Sequence, residues 1–221
     1  PEVLAHLLVL LTLSDKSALA IDPFCGTGTI VNAILSTKTD YNITGRDAVR
    51  STWGSDKFAF PIQIATLAVS TPENMNETLR IFTHDSFDLE IGESISFIDP
   101  STGENSSINV PSFSAIISNL PFVQFEDLNA LNPTASRKIE AFYSSHCIPN
   151  AEKLVGRSDL YAYIPFLIYD LLDNDGQLGV IISNSWISTD WGTKFRNLLQ
   201  RFYDIKFVVT SANGRWFQNA D

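Results

Sequence analysis

The sequence has little that would commit it to metal, disulfide or membrane chemistry. Among its 221 residues are two cysteines, Cys25 and Cys147, three histidines and one methionine. The two thiols do not have the spacing of a disulfide framework or a zinc site, and His6, His84 and His146 are too scattered to build a metal cluster with neighbouring carboxylates. Reduced thiols, a cytoplasmic protein and no metal are the expectation. Cys25 has no partnering histidine nearby in sequence, so nucleophilic hydrolysis is not expected either. The apolar run at residues 7–11 is too short to cross a bilayer and lacks the basic flank and small-residue cleavage site of a signal peptide, so no membrane contact is expected. Positive charge is scarce as well: 15 Lys and Arg stand against 25 Asp and Glu, a formal charge of −10. Affinity for phosphates comes mainly from Lys and Arg, so a nucleic-acid substrate would have to be gripped largely by another segment.

What is present is an ordinary globular composition, 44% hydrophobic and 18% charged. The chain opens at Pro1 without an initiator methionine and stops at Asp221 just after regular structure, so residues 1–221 are expected to be one domain excised from a longer protein. Apolar patterning alternates between two periods. Strands are expected at residues 17–21, 41–45, 79–82, 113–117, 177–182 and 205–210, with helices at 29–35, 56–69, 158–172 (Ser158 as N-cap, Gly176 closing it) and 189–202. Residues 95–110, centred on Asp99-Pro100-Ser101-Thr102-Gly103, read as an inserted hairpin. Strands separated by helices imply right-handed crossovers, giving an α/β fold with a doubly wound, mostly parallel, Rossmann-like sheet. Ligands on such sheets sit beyond the carboxyl ends of the strands, which is where the motifs should lie.

Four short segments fall at those ends. After the first strand comes Asp22-Pro23-Phe24-Cys25-Gly26-Thr27-Gly28, whose glycines let the backbone turn tightly and approach a ligand at a helix N-terminus. The third glycine of a dinucleotide fingerprint is missing, and no Gly-Lys-Ser/Thr of a phosphate loop follows. After the second expected strand stands Asp47, 19 positions beyond Gly28, where an acid can accept both hydroxyls of a ribose. After the third, Asp85 and Ser86 are placed to meet the base of an adenosyl ligand, with Phe87 against its ring. After the fourth comes Asn119-Leu120-Pro121-Phe122. An amine conjugated to a purine ring is a poor nucleophile. The Asn119 side-chain oxygen and the Leu120 carbonyl offer two acceptors for its hydrogens, Pro121 biases Leu120 toward an extended conformation, and Phe122 offers a face for stacking an extruded base. Taken singly, each segment also reads as a tight turn or a surface acid; what points to a site is their order.

In that order the segments resemble the amino-methylating class of S-adenosylmethionine (SAM) dependent DNA methyltransferases. Residues 22–28 match that family's Asp-Pro-x-x-Gly-x-Gly motif, and residues 119–122 resemble its Asn-Pro-Pro-Tyr/Phe motif. Ser158-Asp159-Leu160-Tyr161 and Ser183-Asn184-Ser185-Trp186 resemble the region after the catalytic loop in type I and type IIG modification enzymes. The resemblance implies SAM as cofactor, held by Asp22, Pro23, Phe24, Gly26, Gly28, Asp47, Asp85 and Ser86. It also implies transfer to adenine N6 in DNA beside Asn119, Leu120, Pro121 and Phe122, within a restriction-modification or phage-defence system. The family places a target-recognition domain after the catalytic one, so DNA is expected to be held mainly by a domain beyond residue 221. Leu120 departs from the pattern, since the family has proline there; a backbone carbonyl survives the change, but the loop is less constrained. Three other readings share these residues: an amino-methyltransferase acting on RNA or protein, a SAM-binding pseudoenzyme, and an NAD-dependent oxidoreductase, which leaves Asn119 without a role.

Overall fold

The computed structural model describes residues 2–121, 134–154 and 159–211. They form two compact units, one made of Glu2–Pro121 with Phe166–Ile182, the other of the described parts of Phe122–Pro165 and Ser183–Asp221.

The first unit holds a five-stranded parallel sheet in the order β3-β2-β1-β6-β7. Its strands are β1 (Ala20–Asp22), β2 (Thr52–Asp56), β3 (Arg80–Thr83), β6 (Phe113–Asn119) and β7 (Leu172–Ile181). In the register, Ile21 lies between Trp53 and Ile116. Helices α1 (Glu2–Thr12) and α2 (Thr29–Asp40) lie on one face, where Val9, Leu13, Ile34, Ala20, Ala115 and Ile117 are buried together. The α4 helix (Ala59–Val69) joins through Ala65 and Val69 against Val31 and Leu35. Pro61 is its third residue, inside the first turn, where a missing N–H breaks no intrahelical bond.

The hairpin expected at residues 95–110 is present as antiparallel β4 (Ser94–Ile98) and β5 (Asn105–Asn109). Its alternation turns Ile95 and Phe97 inward. The Phe97 ring meets Trp53 and Phe82 edge-on, at centroid distances of 6.0 and 5.8 Å, and Trp53 meets Phe113 at 5.7 Å. The insertion thus supplies an aromatic lid for Trp53 of the central sheet.

Three expectations are corrected. Residues 41–45 are not a strand: Tyr41 is exposed, Asn42 has a left-handed φ of 62°, and Thr44 caps a short helix, α3 (Gly45–Arg50), by accepting from the Asp47 N–H. The second strand is β2, whose Thr52-Trp53-Gly54-Ser55 are all buried despite a weak apolar pattern. Residues 160–171 are not one helix but three short turns, Leu160–Ala162, Ile164–Leu167 and Tyr169–Leu171. Leu160, Tyr161, Ala162, Ile164 and Ile168 are all buried, so the segment is apolar all round, and Pro165 cannot donate within a continuing helix. Ser158 lies outside the described residues. Gly176 follows Asp175, whose φ is 65°, in a turn within the range of β7 rather than at a helix end. Residues 205–210 form no strand: Phe207 and Val208 are each 65% exposed, and no ladder partner is present for them among the described residues. An isolated extended segment has nothing to satisfy its backbone.

The second unit contains α5 (Ala135–Ser145) and α7 (Asp190–Phe202). Phe142 packs on Phe202 at 5.0 Å, and an Arg201 guanidinium N–H donates to the His146 carbonyl. Tyr161, Trp191, Trp186 and Phe195 form an aromatic cluster, and the Tyr161 hydroxyl lies 2.8 Å from that of Ser185, which in turn donates to Asp159.

Candidate active site

At the carboxyl end of β1 the chain turns on Gly26 and Gly28, with φ of 50° and 88°. A Cβ on Gly28 would stand 3.0 Å from the Cα and Cβ of Ala65, so only glycine lets α2 start against α4. A Cβ on Gly26 would meet nothing within 4 Å; that side of the loop is open. The loop is tied to its neighbour strand by the Cys25 N–H, which donates to the Ser55 carbonyl at 2.9 Å, and by the Gly26 N–H, which donates to Asp56 Oδ2 at 3.1 Å.

Asp22 is buried at the root of this loop. Its Oδ1 accepts from the Phe24 N–H at 3.1 Å and from the Ser118 hydroxyl at 2.6 Å. Burial outweighs these two bonds and pushes its pKa up to about 7. Burial also pushes the Cys25 thiol well up, so it is a packed thiol rather than a nucleophile.

Asp47, the acid expected to meet a ribose, does not lie at the edge that carries the glycine loop. It lies in α3, accepts from the Thr44 hydroxyl at 2.6 Å, and lines a shallow pocket with Ser17, Asn42, Ile43, Arg50 and Ser51. Ser17 and Ser51 precede β1 and β2, so this is the amino edge of the sheet, opposite the glycine loop. The acid at the carboxyl end of β2 is Asp56, which the spacing from Gly28 passed over and the helix pattern absorbed. Its Oδ1 accepts from the Phe58 N–H at 2.9 Å, and its carbonyl accepts from the His84 N–H at 2.9 Å. A carboxylate ending the second strand and bonded to the glycine loop was the signal available.

After β3, Asp85 stands at the same edge as the glycine loop. Its Oδ2 pairs with Lys57 Nζ at 3.1 Å and its Oδ1 accepts from the Phe87 N–H at 3.2 Å. Ser86 is buried, and its hydroxyl donates to the Pro23 carbonyl and lies 3.1 Å from Ser55 Oγ, so that group ties three loops together. Phe24 and Phe87 face each other at 5.7 Å with a 58° tilt, forming an apolar wall.

At the end of β6, Asn119 Oδ1 is buried and has no hydrogen-bond partner among the described residues. Leaving an acceptor this way carries a desolvation penalty, as expected of a group waiting for a donor. Leu120 is fully buried, and its N–H donates to the Ile181 carbonyl at 3.1 Å, a bond that proline could not make. The loop is therefore fixed by one more ladder bond where the family motif uses a ring. Pro121 is half-buried, and Phe122 lies outside the described residues. Ser118 joins this strand end to Asp22, so the glycine loop and Asn119 belong to one hydrogen-bonded framework.

A glycine loop, a strand-end acid and an orphaned asparagine on one edge of a 3-2-1-6-7 parallel sheet define the class: a Rossmann-like domain of the SAM-dependent methyltransferase kind. More narrowly, the chain belongs to the Eco57I restriction-modification methylase family, whose model matches residues 37–217. Among solved structures, DrdV bound to DNA and a nuclease-deletion mutant of the Type ISP restriction-modification enzyme LlaGI, in complex with a DNA substrate mimic, each align with a TM-score of 0.62 and 18% identity, over 92% of this chain and 22% of theirs. A Listeria monocytogenes protein assigned to the class I SAM-dependent methyltransferases aligns at 0.56 and 12%, over 90% of this chain and 50% of that one. The chain thus spans half or less of the length of each. No curated protein matches it in sequence.

Proposed function

We propose that this chain is the catalytic domain of a SAM-dependent DNA methyltransferase acting on adenine N6 in a restriction-modification system. The observation that carries the proposal is Asn119 Oδ1, buried and without a partner among the described residues at the end of β6, two hydrogen bonds away from the glycine loop through Ser118 and Asp22. The residues fit the cofactor: Gly26 leaves an open side in the loop, Asp56 supplies a carboxylate for ribose hydroxyls, Asp85 an acceptor for an exocyclic amine, and Phe24 with Phe87 an apolar wall. Asp22 and Pro23 shape that loop from beneath. When bound, SAM supplies an electrophilic methyl group on a sulfonium.

The chain's own contribution is positioning. Asn119 Oδ1 and the Leu120 carbonyl accept the two hydrogens of the target amine, which turns its lone pair out of conjugation and toward the methyl group. The proton leaves after the nitrogen has become cationic, so no strong base is needed beside Asn119. Pro121 biases Leu120 toward the extended conformation that aims its carbonyl, and Phe122, which lies outside the described residues, is the aromatic residue of the motif that would stack on an extruded adenine. Similarity to the DrdV and LlaGI enzymes, both solved with DNA or a DNA mimic, supports DNA as the substrate. With a net charge of −10, the chain leaves most of the DNA grip to a recognition domain elsewhere in the protein. Such an enzyme works in the cytoplasm; no helix among the described residues is long and apolar enough to cross a membrane.

The test is transfer of labelled methyl from SAM to DNA, followed by digestion and identification of the modified nucleoside. Label in N6-methyladenine supports the reading. Label in cytosine, RNA or protein reassigns the acceptor, and no transfer by protein that binds SAM identifies a pseudoenzyme.

A further inference from the structure

Charge is not shared evenly between the two units. The sheet unit, Glu2–Pro121 with Phe166–Ile182, carries 6 Lys and Arg against 17 Asp and Glu, whereas the rest of the chain carries 9 against 8. A polyanion approaching the sheet unit meets a field of its own sign; one approaching the second unit does not.

The cations of the sheet unit are also engaged. Lys38 is buried on three acceptors, Arg46 and Arg50 share Glu77, and Lys57 pairs with Asp85. The Lys16 ammonium donates to the Leu13 carbonyl, and the Arg80 guanidinium lies over the Trp53 ring, 5.0 Å from its centroid. In the second unit Lys153, Arg201 and Lys206 are paired with Glu140, Glu152 and Asp204. Arg137, Lys194 and Arg196 have no hydrogen-bond or ion-pair partner among the described residues.

Two of those three stand on α7. This helix buries Gly192, Phe195 and Leu198, and Asp190, its first residue, is its only acid. The helical period then turns Thr193, Asn197 and Gln200 outward, with Lys194 and Arg196 bordering that face on either side. Cations flanking hydroxyl and amide groups are the side chains that meet phosphate and sugar oxygens. With no internal partner, they can neutralise phosphates without first breaking an ion pair.

We infer that Lys194 and Arg196, on the exposed face of α7, contact the phosphate backbone of duplex DNA and supply this chain's own share of the grip, without reading sequence. The inference rests on the DNA reading above and extends it to a surface.

The experiment is fluorescence anisotropy of the full protein with two labelled duplexes of unrelated sequence, titrated at several salt concentrations, for wild type, Lys194→Gln, Arg196→Gln and Arg46→Gln. The quantity read is the slope of log affinity against log salt, which the fraction of active protein does not alter. Each phosphate contact contributes about 0.9 to that slope. Lys194→Gln and Arg196→Gln should each make it shallower by about one, and should weaken binding at about 0.1 M salt roughly fivefold to tenfold on both duplexes alike. Arg46→Gln removes another exposed charge, one already paired with Glu77, and should leave the slope as in wild type. A slope unchanged in either α7 variant overturns the inference. An equal loss in Arg46→Gln also overturns it, by showing that net charge alone matters. Wild type that binds single-stranded RNA but neither duplex refutes the DNA reading itself, a result distinct from either.

Discussion

The two edges of the central sheet carry similar side chains in different surroundings. At the amino edge Lys38 is fully buried and satisfied within the chain, its ammonium donating to the Ala18 carbonyl at 2.7 Å and to the Ser51 carbonyl and hydroxyl at 2.9 and 2.6 Å, while Thr52 Oγ1 and Arg80 Nε, at the starts of β2 and β3, are buried with no partner among the described residues. Asp47 is closed on Thr44. At the carboxyl edge, Asn119 Oδ1 has no partner among the described residues, and a Cβ on Gly26 would meet none of them within 4 Å. The buried charge of Lys38 is structural, and an unpartnered buried atom does not by itself mark a site; Asn119 differs from Thr52 and Arg80 in standing at the edge that carries the glycine loop. An acid near the right spacing is therefore no guide until its edge is known.

The sharpest break of this comparison is at Asn119. Asn119→Ala should lower methyl transfer roughly a hundredfold to a thousandfold, the usual effect of losing one preorganised polar contact in the transition state. Cofactor affinity, measured on the same preparation, should stay within about threefold, since the proposed cofactor seat is on the loops after β1 to β3. An active variant would move the catalytic acceptor elsewhere.

Gly28→Ala should destabilise the fold by about 1–3 kcal/mol, because φ is 88° there and the new Cβ would meet Ala65 backbone at 3.0 Å. Gly26→Ala has the same conformational strain without the collision, so its denaturation midpoint should fall less. Equal losses would show that the loop relaxes.

Leu120→Pro tests how the catalytic loop is held. It restores the family's ring but removes the Leu120 N–H bond to Ile181, a net loss of about 1 kcal/mol in chemical denaturation. Unchanged stability would mean that the ring compensates for the lost ladder bond.

The two edges also contribute to the pH dependence of stability, with opposite signs. The pKa of Asp22 is raised from 3.8 to about 7 in the folded state, so its contribution is complete below pH 4 and is lost as pH rises through 7. Burial lowers Lys38 from 10.5 to about 7, so its contribution is complete above pH 10.5 and is lost as pH falls through 7. Stability from this pair passes through a minimum near pH 7. Denaturation midpoints of Asp22→Asn should decline less than wild type between about pH 4 and 7, and those of Lys38→Met should rise less between about pH 7 and 10. Parallel wild-type and variant profiles would contradict the assignment.

Much of the fold was legible because its signals are local. The glycine loop, the Asn119 strand end and the alternation of the hairpin are each written in a few adjacent residues. The second strand was not, because Thr52-Trp53-Gly54-Ser55-Asp56 carries almost no apolar pattern and is buried by its neighbours β1 and β3. That displaced strand is why the sequence points to Asp47 as the acid after the second strand, where the fold has Asp56. Residues 160–171 were misread for the converse reason: a segment buried on all sides has no stripe to give its period. Residues 205–210 have strand-forming composition, but composition does not supply a partner.

The most direct test of the account is calorimetric binding of S-adenosylhomocysteine to wild type, Asp56→Ala and Asp47→Ala. A carboxylate hydrogen-bonded to the ligand is worth roughly 1.5–3 kcal/mol, so Asp56→Ala should bind about tenfold to a hundredfold more weakly, while Asp47→Ala should bind as wild type does. Binding weakened by Asp47→Ala and indifferent to Asp56→Ala would place the ligand at the amino edge and contradict the account, as would a folded wild type that binds no S-adenosylhomocysteine.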